Sequence, residues 1–163
     1  AQSPRDVATY DERPTMNAAG VADGFISGFA DPAVGFAVVN FANPDMVGHT
    51  GSIPATVAAC EAVDAELDRV LDAVAARNGI ALVTADHGNA ECMLMPDGSP
   101  HTAHTTNPVP FILVDASHAV SGIDLRHGGK LGDVAPTVLD LLGVDIPSQM
   151  DGATLIIRTT VGA

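Results

Sequence analysis

Gly79-Ile80-Ala81-Leu82-Val83-Thr84-Ala85-Asp86-His87-Gly88 is the stretch from which the fold can be read. A continuous apolar run, as opposed to an alternating one, suits a strand buried on both faces of a parallel sheet. The run stops at Asp86, so polar residues follow at the strand's C-terminal end, the edge at which open α/β sheets bind ligands. Two further segments repeat the plan: 34–41 stops before Asn43-Pro44, and 109–114 stops at Asp115.

Helical patterns lie between these runs. The clearest covers 53–77, where Val57, Cys60, Val63, Leu67, Val70, Leu71 and Val74 recur at steps of three and four, the spacing of one helix face. Ser52 can cap it, Pro54 is tolerated in its first turn, and Asn78-Gly79 ends it. A second candidate covers 18–29, broken by Gly20, Gly24 and Gly28, and a third covers 132–142 with Gly143 as its stop. Segment 115–130 reads as loop, and 154–158 as a short edge strand. Strands alternating with helices predict an α/β fold, a largely parallel sheet with helices on both faces.

The chain has 163 residues, 47% hydrophobic and 17% charged, a globular balance. Its net charge is −13, with a single lysine, Lys130. That argues against nucleic acid as a partner, which needs a basic face, and against an anionic membrane surface. Two readings of the acidity stay open: a solvated acidic surface, or carboxylates that bind metal. No apolar run approaches the ~20 residues that span a bilayer. Cys60 and Cys92 have no CxxC spacing and read as reduced thiols of a cytoplasmic protein. The polar N-terminus, without an initiator Met or an apolar signal region, suggests a fragment or a processed chain.

The candidate chemistry sits after the apolar runs. Asp45 and His49, four residues apart, share one side of a helical turn and can ligate Zn²⁺ or Mn²⁺; alone, such a pair also serves as an ion pair or a cap. Asp86 and His87 can both reach one ion from a tight loop, which Gly88 would let turn sharply. His104, before the third run, is a further ligand candidate; His101 is a weaker one. Asp45, His49, Asp86, His87 and His104 together make five ligands at one end of successive strands. Two ions clamping a phosphoryl group usually take six or more, so a second segment should supply the rest.

Five strings of this chain resemble the cofactor-independent (2,3-bisphosphoglycerate-independent) phosphoglycerate mutases of the alkaline phosphatase superfamily. They are Val7-Ala-Thr-Tyr-Asp11, Asn40-Phe-Ala-Asn-Pro-Asp-Met-Val-Gly-His-Thr-Gly51, Thr84-Ala-Asp-His-Gly-Asn-Ala-Glu91, His101-Thr-Ala-His-Thr-Thr-Asn-Pro-Val-Pro110 and Leu131-Gly-Asp-Val-Ala-Pro-Thr-Val-Leu-Asp-Leu-Leu-Gly143. The resemblance implies an alkaline-phosphatase-like fold and transfer of a phosphoryl group between the 3- and 2-hydroxyls of glycerate through a phosphoserine. It implies two Mn²⁺ ions, with Zn²⁺, Mg²⁺ or Co²⁺ as alternatives. Asp45, His49 and His104 would hold one ion; Asp86 and His87 would hold the other.

The family's nucleophilic serine, its partner Asp and the Arg-rich inserted transferase domain have no counterpart here. The chain therefore resembles the C-terminal portion of a discontinuous phosphatase-type domain. At Ser3-Pro4-Arg5-Asp6-Val7 the family usually has Ser-Pro-Lys-Val, so Arg5 is a candidate phosphate contact in place of the lysine. Thr50, Ser52 and Thr105 read better as caps and loop hydrogen-bonders than as replacement nucleophiles.

Three expectations compete. The first is a Mn²⁺-dependent mutase in a full-length, monomeric parent acting on the small molecule phosphoglycerate. The second is a phosphomonoesterase or sulfatase-like hydrolase on the same skeleton. The third is a non-catalytic metal-binding fragment, inactive alone, whose uncovered sheet edge promotes self-association.

Overall fold

The computed structural model describes residues 1–115 and 123–158. They fall into two compact units, Ala1–Ser117 and His118–Ala163.

The first unit is built on three helices and a strand pair. α1 is Ala18–Phe29, α2 Asn43–Gly48 and α3 Ile53–Ala75; β1 is Ile80–Thr84 and β2 Phe111–Asp115. α1 and α2 both pack on α3. The buried positions are mostly small or β-branched: Ala18 and Ala22 of α1, Val47 of α2, and Ala59, Val70 and Val74 of α3. Small side chains let helices approach closely, and each buried methyl group contributes to the dense interior. Across the polar side, Arg69 bonds Asp23 at 2.5 Å and also pairs with Glu66. Arg77 lies 4.5 Å over the Phe29 ring.

α1 keeps its sequence-read bounds despite three glycines, because tertiary packing outweighs propensity. α3 starts where expected, but the Ser52 side chain makes no capping bond. Instead the Ser52 N–H donates to Thr50 Oγ1 at 3.3 Å. After Ala75 the chain turns away through Asn78, in the left-handed region (φ 52°), and the Gly79 N–H donates to Val74 O at 2.9 Å.

The sheet departs from expectation. β1 and β2 pair antiparallel, Ile80 opposite Asp115 and Thr84 opposite Phe111. A parallel pair needs a crossover that returns the chain to its starting end, usually a helix. Segment 85–110 contains no helix; it turns back through the site loops, so β2 runs the other way. Segment 34–41 forms no strand either. Phe36 is 55% and Val38 80% exposed, and no described strand lies against it to complete a ladder. The largely parallel, two-face-covered sheet is therefore not seen among the described residues.

An apolar groove of about 560 Å³ in this unit is lined by Ile53, Val57, Cys60, Cys92 and Leu94, among others. Both thiols are free, and burial pushes the Cys60 thiol up.

The second unit contains β3 (Ile123–Leu125), α4 (Val134–Leu141, entered through a 3-10 turn at Leu131–Asp133) and β4 (Ile156–Arg158). β3 pairs antiparallel with β4. β3 lies in a segment read from sequence as loop, of which 116–122 are outside the described residues. Leu155 and Ile156 are buried, as are Pro136, Thr137 and Asp133. Thr137 Oγ1 accepts the Leu155 N–H at 2.9 Å and donates to Asp133 O at 2.7 Å.

Candidate metal centre

Everything in the cluster comes from the first unit. α2 starts at Asn43-Pro44, and proline suits a helix's first turn because its missing N–H had no partner there. Asn43, 3% exposed, donates its amide to Pro14 O and Thr15 O, both at 2.9 Å, which pins the helix start to the N-terminal segment. Asp45 is in the first turn, where a carboxylate suits the helix dipole. His49 closes the last turn, its N–H on Asp45 O at 3.1 Å.

The other histidines arrive on the long connection between β1 and β2. His87 follows β1 in the loop 85–91. A short hairpin around 94–100 then leads to His101, whose N–H donates to Met93 O at 2.8 Å, and to His104. Gly88 and Thr105 form an isolated bridge, with the Thr105 N–H on Gly88 O at 2.8 Å.

Four groups converge on one carboxylate oxygen. Asp45 Oδ1 lies 3.0 Å from His104 Nε2, 3.1 Å from His49 Nε2 and 3.8 Å from His87 Nε2. His49 Nε2 and His104 Nε2 are 3.0 Å apart. The His87 and His104 rings stack at 3.6 Å between centroids. The ligand atoms of Asp45, His87 and His104 all lie within 4.8 Å of one another. Asn89 completes the set, donating its amide to Asp45 Oδ1 at 3.2 Å.

The protonation pattern of His49 follows from its second nitrogen. Nδ1 is 2.6 Å from Thr102 O, and a carbonyl only accepts. Nδ1 therefore carries a proton and donates to that carbonyl, and Nε2 is the nitrogen that faces Asp45 and His104. A histidine held through its far nitrogen by a carbonyl is the usual support of a metal ligand. Lone pairs from imidazole and carboxylate directed at one another at 3 Å repel unless a cation or proton stands between them. The donor set, imidazole nitrogen with carboxylate oxygen, suits Zn²⁺, Mn²⁺ or Co²⁺.

Of the sequence candidates, Asp45, His49, His87 and His104 are brought together. Asp86 stands beside them, its Oδ1 3.6 Å from His87 Nε2 and its side chain 87% exposed. His101 points elsewhere, with Nδ1 3.0 Å from Cys92 O. Arg5 is exposed, and among the described residues no hydrogen bond or ion pair ties it to the cluster; its neighbour Asp6 pairs with Arg13 at 2.6 Å. Thr50 donates to Val47 O and Thr105 to Glu91, as loop hydrogen-bonders do.

Gly88 is needed for a reason other than a sharp turn. Its φ is not in the left-handed region; a Cβ there would collide with Thr105 Oγ1 and Glu91 Oε1. A Cβ at Gly48 would likewise strike Asn89 Oδ1. Sequence reading gives Asn89, Glu91, Thr102 and Asn107 no role, although all four lie inside the strings that carry the resemblance. Glu91 accepts from the Asn89 N–H at 2.6 Å, from Asn107 Nδ2 at 2.9 Å and from Thr105 Oγ1. These bonds, led by Thr105, hold its carboxyl below the ordinary glutamate range.

A sequence profile of the metalloenzyme superfamily matches residues 2–146, and the chain belongs to that superfamily. Within it, the chain is similar to named mutases. It is 55% identical over 154 residues to the 2,3-bisphosphoglycerate-independent phosphoglycerate mutase of Chloroflexus aurantiacus, a match covering 93% of this chain and 28% of that protein. To the protein of the same name from Syntrophotalea carbinolica it is 52% identical, covering 94% of this chain and 29% of that one. Among solved structures, Leishmania mexicana phosphoglycerate mutase at low cobalt concentration superposes with a TM-score of 0.87 at 32% identity, over 98% of this chain and 31% of that one. These likenesses show an α/β metalloenzyme fold. The chain spans under a third of the length of these relatives.

Proposed function

We propose that residues 1–163 are the C-terminal, metal-binding portion of the phosphatase-type domain of a cofactor-independent phosphoglycerate mutase, an isomerase of glycolysis and gluconeogenesis in the cytoplasm. The observation that carries this reading is the convergence of His49 Nε2 and His104 Nε2 on Asp45 Oδ1 at 3.0–3.1 Å, with the His49 ring oriented by the bond from Nδ1 to Thr102 O. The kinship with named mutases supports the reaction class.

Asp45, His49 and His104 hold one Mn²⁺, and Asp86 and His87 contribute to a second; Zn²⁺, Mg²⁺ or Co²⁺ are alternatives. Two cations, when bound, neutralise the transferring phosphoryl group and favour the alkoxide of a serine. The part played by this chain is to hold and orient: α2 sets Asp45 and His49 one turn apart, and the 85–107 connection brings His87 and His104 to them. The serine, its partner Asp and the glycerate-binding arginines come from the remainder of the longer protein, where segment 34–41 becomes a strand of a largely parallel sheet. Arg5 is the candidate contact to the substrate phosphate. The partner is the small molecule phosphoglycerate, not nucleic acid or a membrane. No described helix is long and apolar enough to cross a bilayer. The full-length protein is monomeric; alone, the chain binds metal, is inactive and self-associates.

In the full-length protein, chelation abolishes interconversion of 3- and 2-phosphoglycerate and Mn²⁺ restores it. Asp45→Ala and His87→Ala each lower kcat/KM by more than about tenfold; a smaller loss overturns the ligand assignment. Release of inorganic phosphate from an aryl phosphate without isomerisation would instead favour the hydrolase of the same skeleton.

A further inference from the structure

We infer that Glu91 is the positioning residue of this site: its carboxylate ties the loop bearing Asp86 and His87 to the loop bearing His104, and seats Asn89 against Asp45. The inference rests on reading the cluster as a divalent-metal site.

Three donors from two loops meet on this one side chain. Oε2 takes the Asn89 N–H at 2.6 Å. Oε1 takes Asn107 Nδ2 at 2.9 Å and the Thr105 hydroxyl. Asn89 and Asn107 lie on either side of the hairpin that separates His87 from His104, so the carboxylate closes that loop with charge-assisted bonds. A neutral amide offers a single acceptor oxygen for the same three donors, and an alkyl group offers none.

The consequence reaches the ligands through two short links. Asn89 is 5% exposed, and with its N–H held by Glu91 its side chain donates to Asp45 Oδ1 at 3.2 Å. Thr105 adjoins His104, and its N–H bonds Gly88, the neighbour of His87. Glu91 thus acts on Asp45, His87 and His104 without touching their ligand atoms. A Cβ at Gly88 would meet Thr105 Oγ1 and Glu91 Oε1, and one at Gly48 would meet Asn89 Oδ1, so the two glycines make room for these side chains. Glu91 itself is exposed, so removing it opens no core cavity, and its effect is on placement.

The test is a Co²⁺ titration of the 163-residue chain, followed by the visible d–d spectrum, with the thermal midpoint of the metal-free protein measured alongside. Partners that orient ligands are worth about 10–100-fold in metal affinity. Glu91→Ala is expected to lose affinity in that range and to change the spectrum, with little change in the metal-free midpoint. Glu91→Gln, which keeps an acceptor for the Asn89 N–H, recovers part of the loss. Thr105→Val, which removes one donor and keeps the branched shape, loses less than Glu91→Ala and carries the test should Glu91→Ala fail to fold. Wild-type affinity and spectrum in Glu91→Ala, or in Thr105→Val in that event, overturn the role of Glu91 while the metal reading stands. Absence of Co²⁺ uptake by the wild-type chain overturns the metal reading and this inference with it.

Discussion

Asp133 in the second unit and Asp45 in the first are both carboxylates reached by segments far apart in the chain, but their surroundings differ. Among the described residues, every partner of the Asp133 carboxylate is a donor: the Ala153 N–H on Oδ1 at 2.9 Å, and the Lys130 N–H and Arg126 guanidinium on Oδ2, both at 3.1 Å. The backbone bonds from Ala153 and Lys130, with Arg126 adding less, hold its pKa down at about 2. Asp45 is 31% exposed at its side chain, and its Oδ1 takes the Asn89 amide and faces three imidazole nitrogens. A carboxylate that folding supplies with donors is a structural pin. One set at an open edge among three imidazole nitrogens has the donor chemistry of a cation site.

Removing the first carboxylate should give the largest effect. Asp45→Ala is expected to weaken Mn²⁺ or Co²⁺ binding by about 100-fold or more, beyond the range of an orienting partner, as read by calorimetric titration. Retention of wild-type affinity would break the contrast with Asp133.

Acid separates the two sites next. The folded pKa of Asp133, about 2, lies below its ordinary 3.8. Its contribution is therefore fully present above the ordinary value and is lost as pH falls from there toward 2. Amide exchange around 130–137 and 153–156 should accelerate across that window, and Asp133→Asn should show fast exchange there already at neutral pH. Unchanged protection in Asp133→Asn would contradict the structural role.

A smaller effect is expected from segment 34–41. Its exposed Phe36 and Val38 should promote association of the isolated chain, and Val38→Asp should shift light scattering toward monomer. A monodisperse wild-type monomer would count against this. The smallest effect belongs to the exposed pair Arg69–Asp23: Asp23→Ala should lower the thermal midpoint slightly at low salt and not at high salt.

Local pattern made the helices and the ligand types legible. The three- and four-residue recurrence in 53–77 and the four-residue step from Asp45 to His49 are properties of one helix, readable without knowing its neighbours. Strand pairing was not legible in the same way. An apolar run such as 34–41 becomes a strand only when another strand supplies its hydrogen bonds, and the direction of β2 against β1 depends on the path of 85–110. The Glu91 hub was hidden for a related reason. Its partners Asn89, Thr105 and Asn107 are ordinary loop residues whose meeting is set by the hairpin between them. Gly88 was noticed for flexibility, whereas it is the lack of space beside Thr105 and Glu91 that requires it.

The most direct test of the metal centre is to add Mn²⁺ stepwise to the chain and follow the histidine ring signals by NMR, since the paramagnetic ion broadens nearby nuclei. The ring signals of His49, His87 and His104 should vanish at substoichiometric Mn²⁺, and Asp45→Ala should preserve them at the same Mn²⁺ concentration. Persistence of these three signals at one equivalent of Mn²⁺, or their equal loss in Asp45→Ala, would contradict a metal site at Asp45.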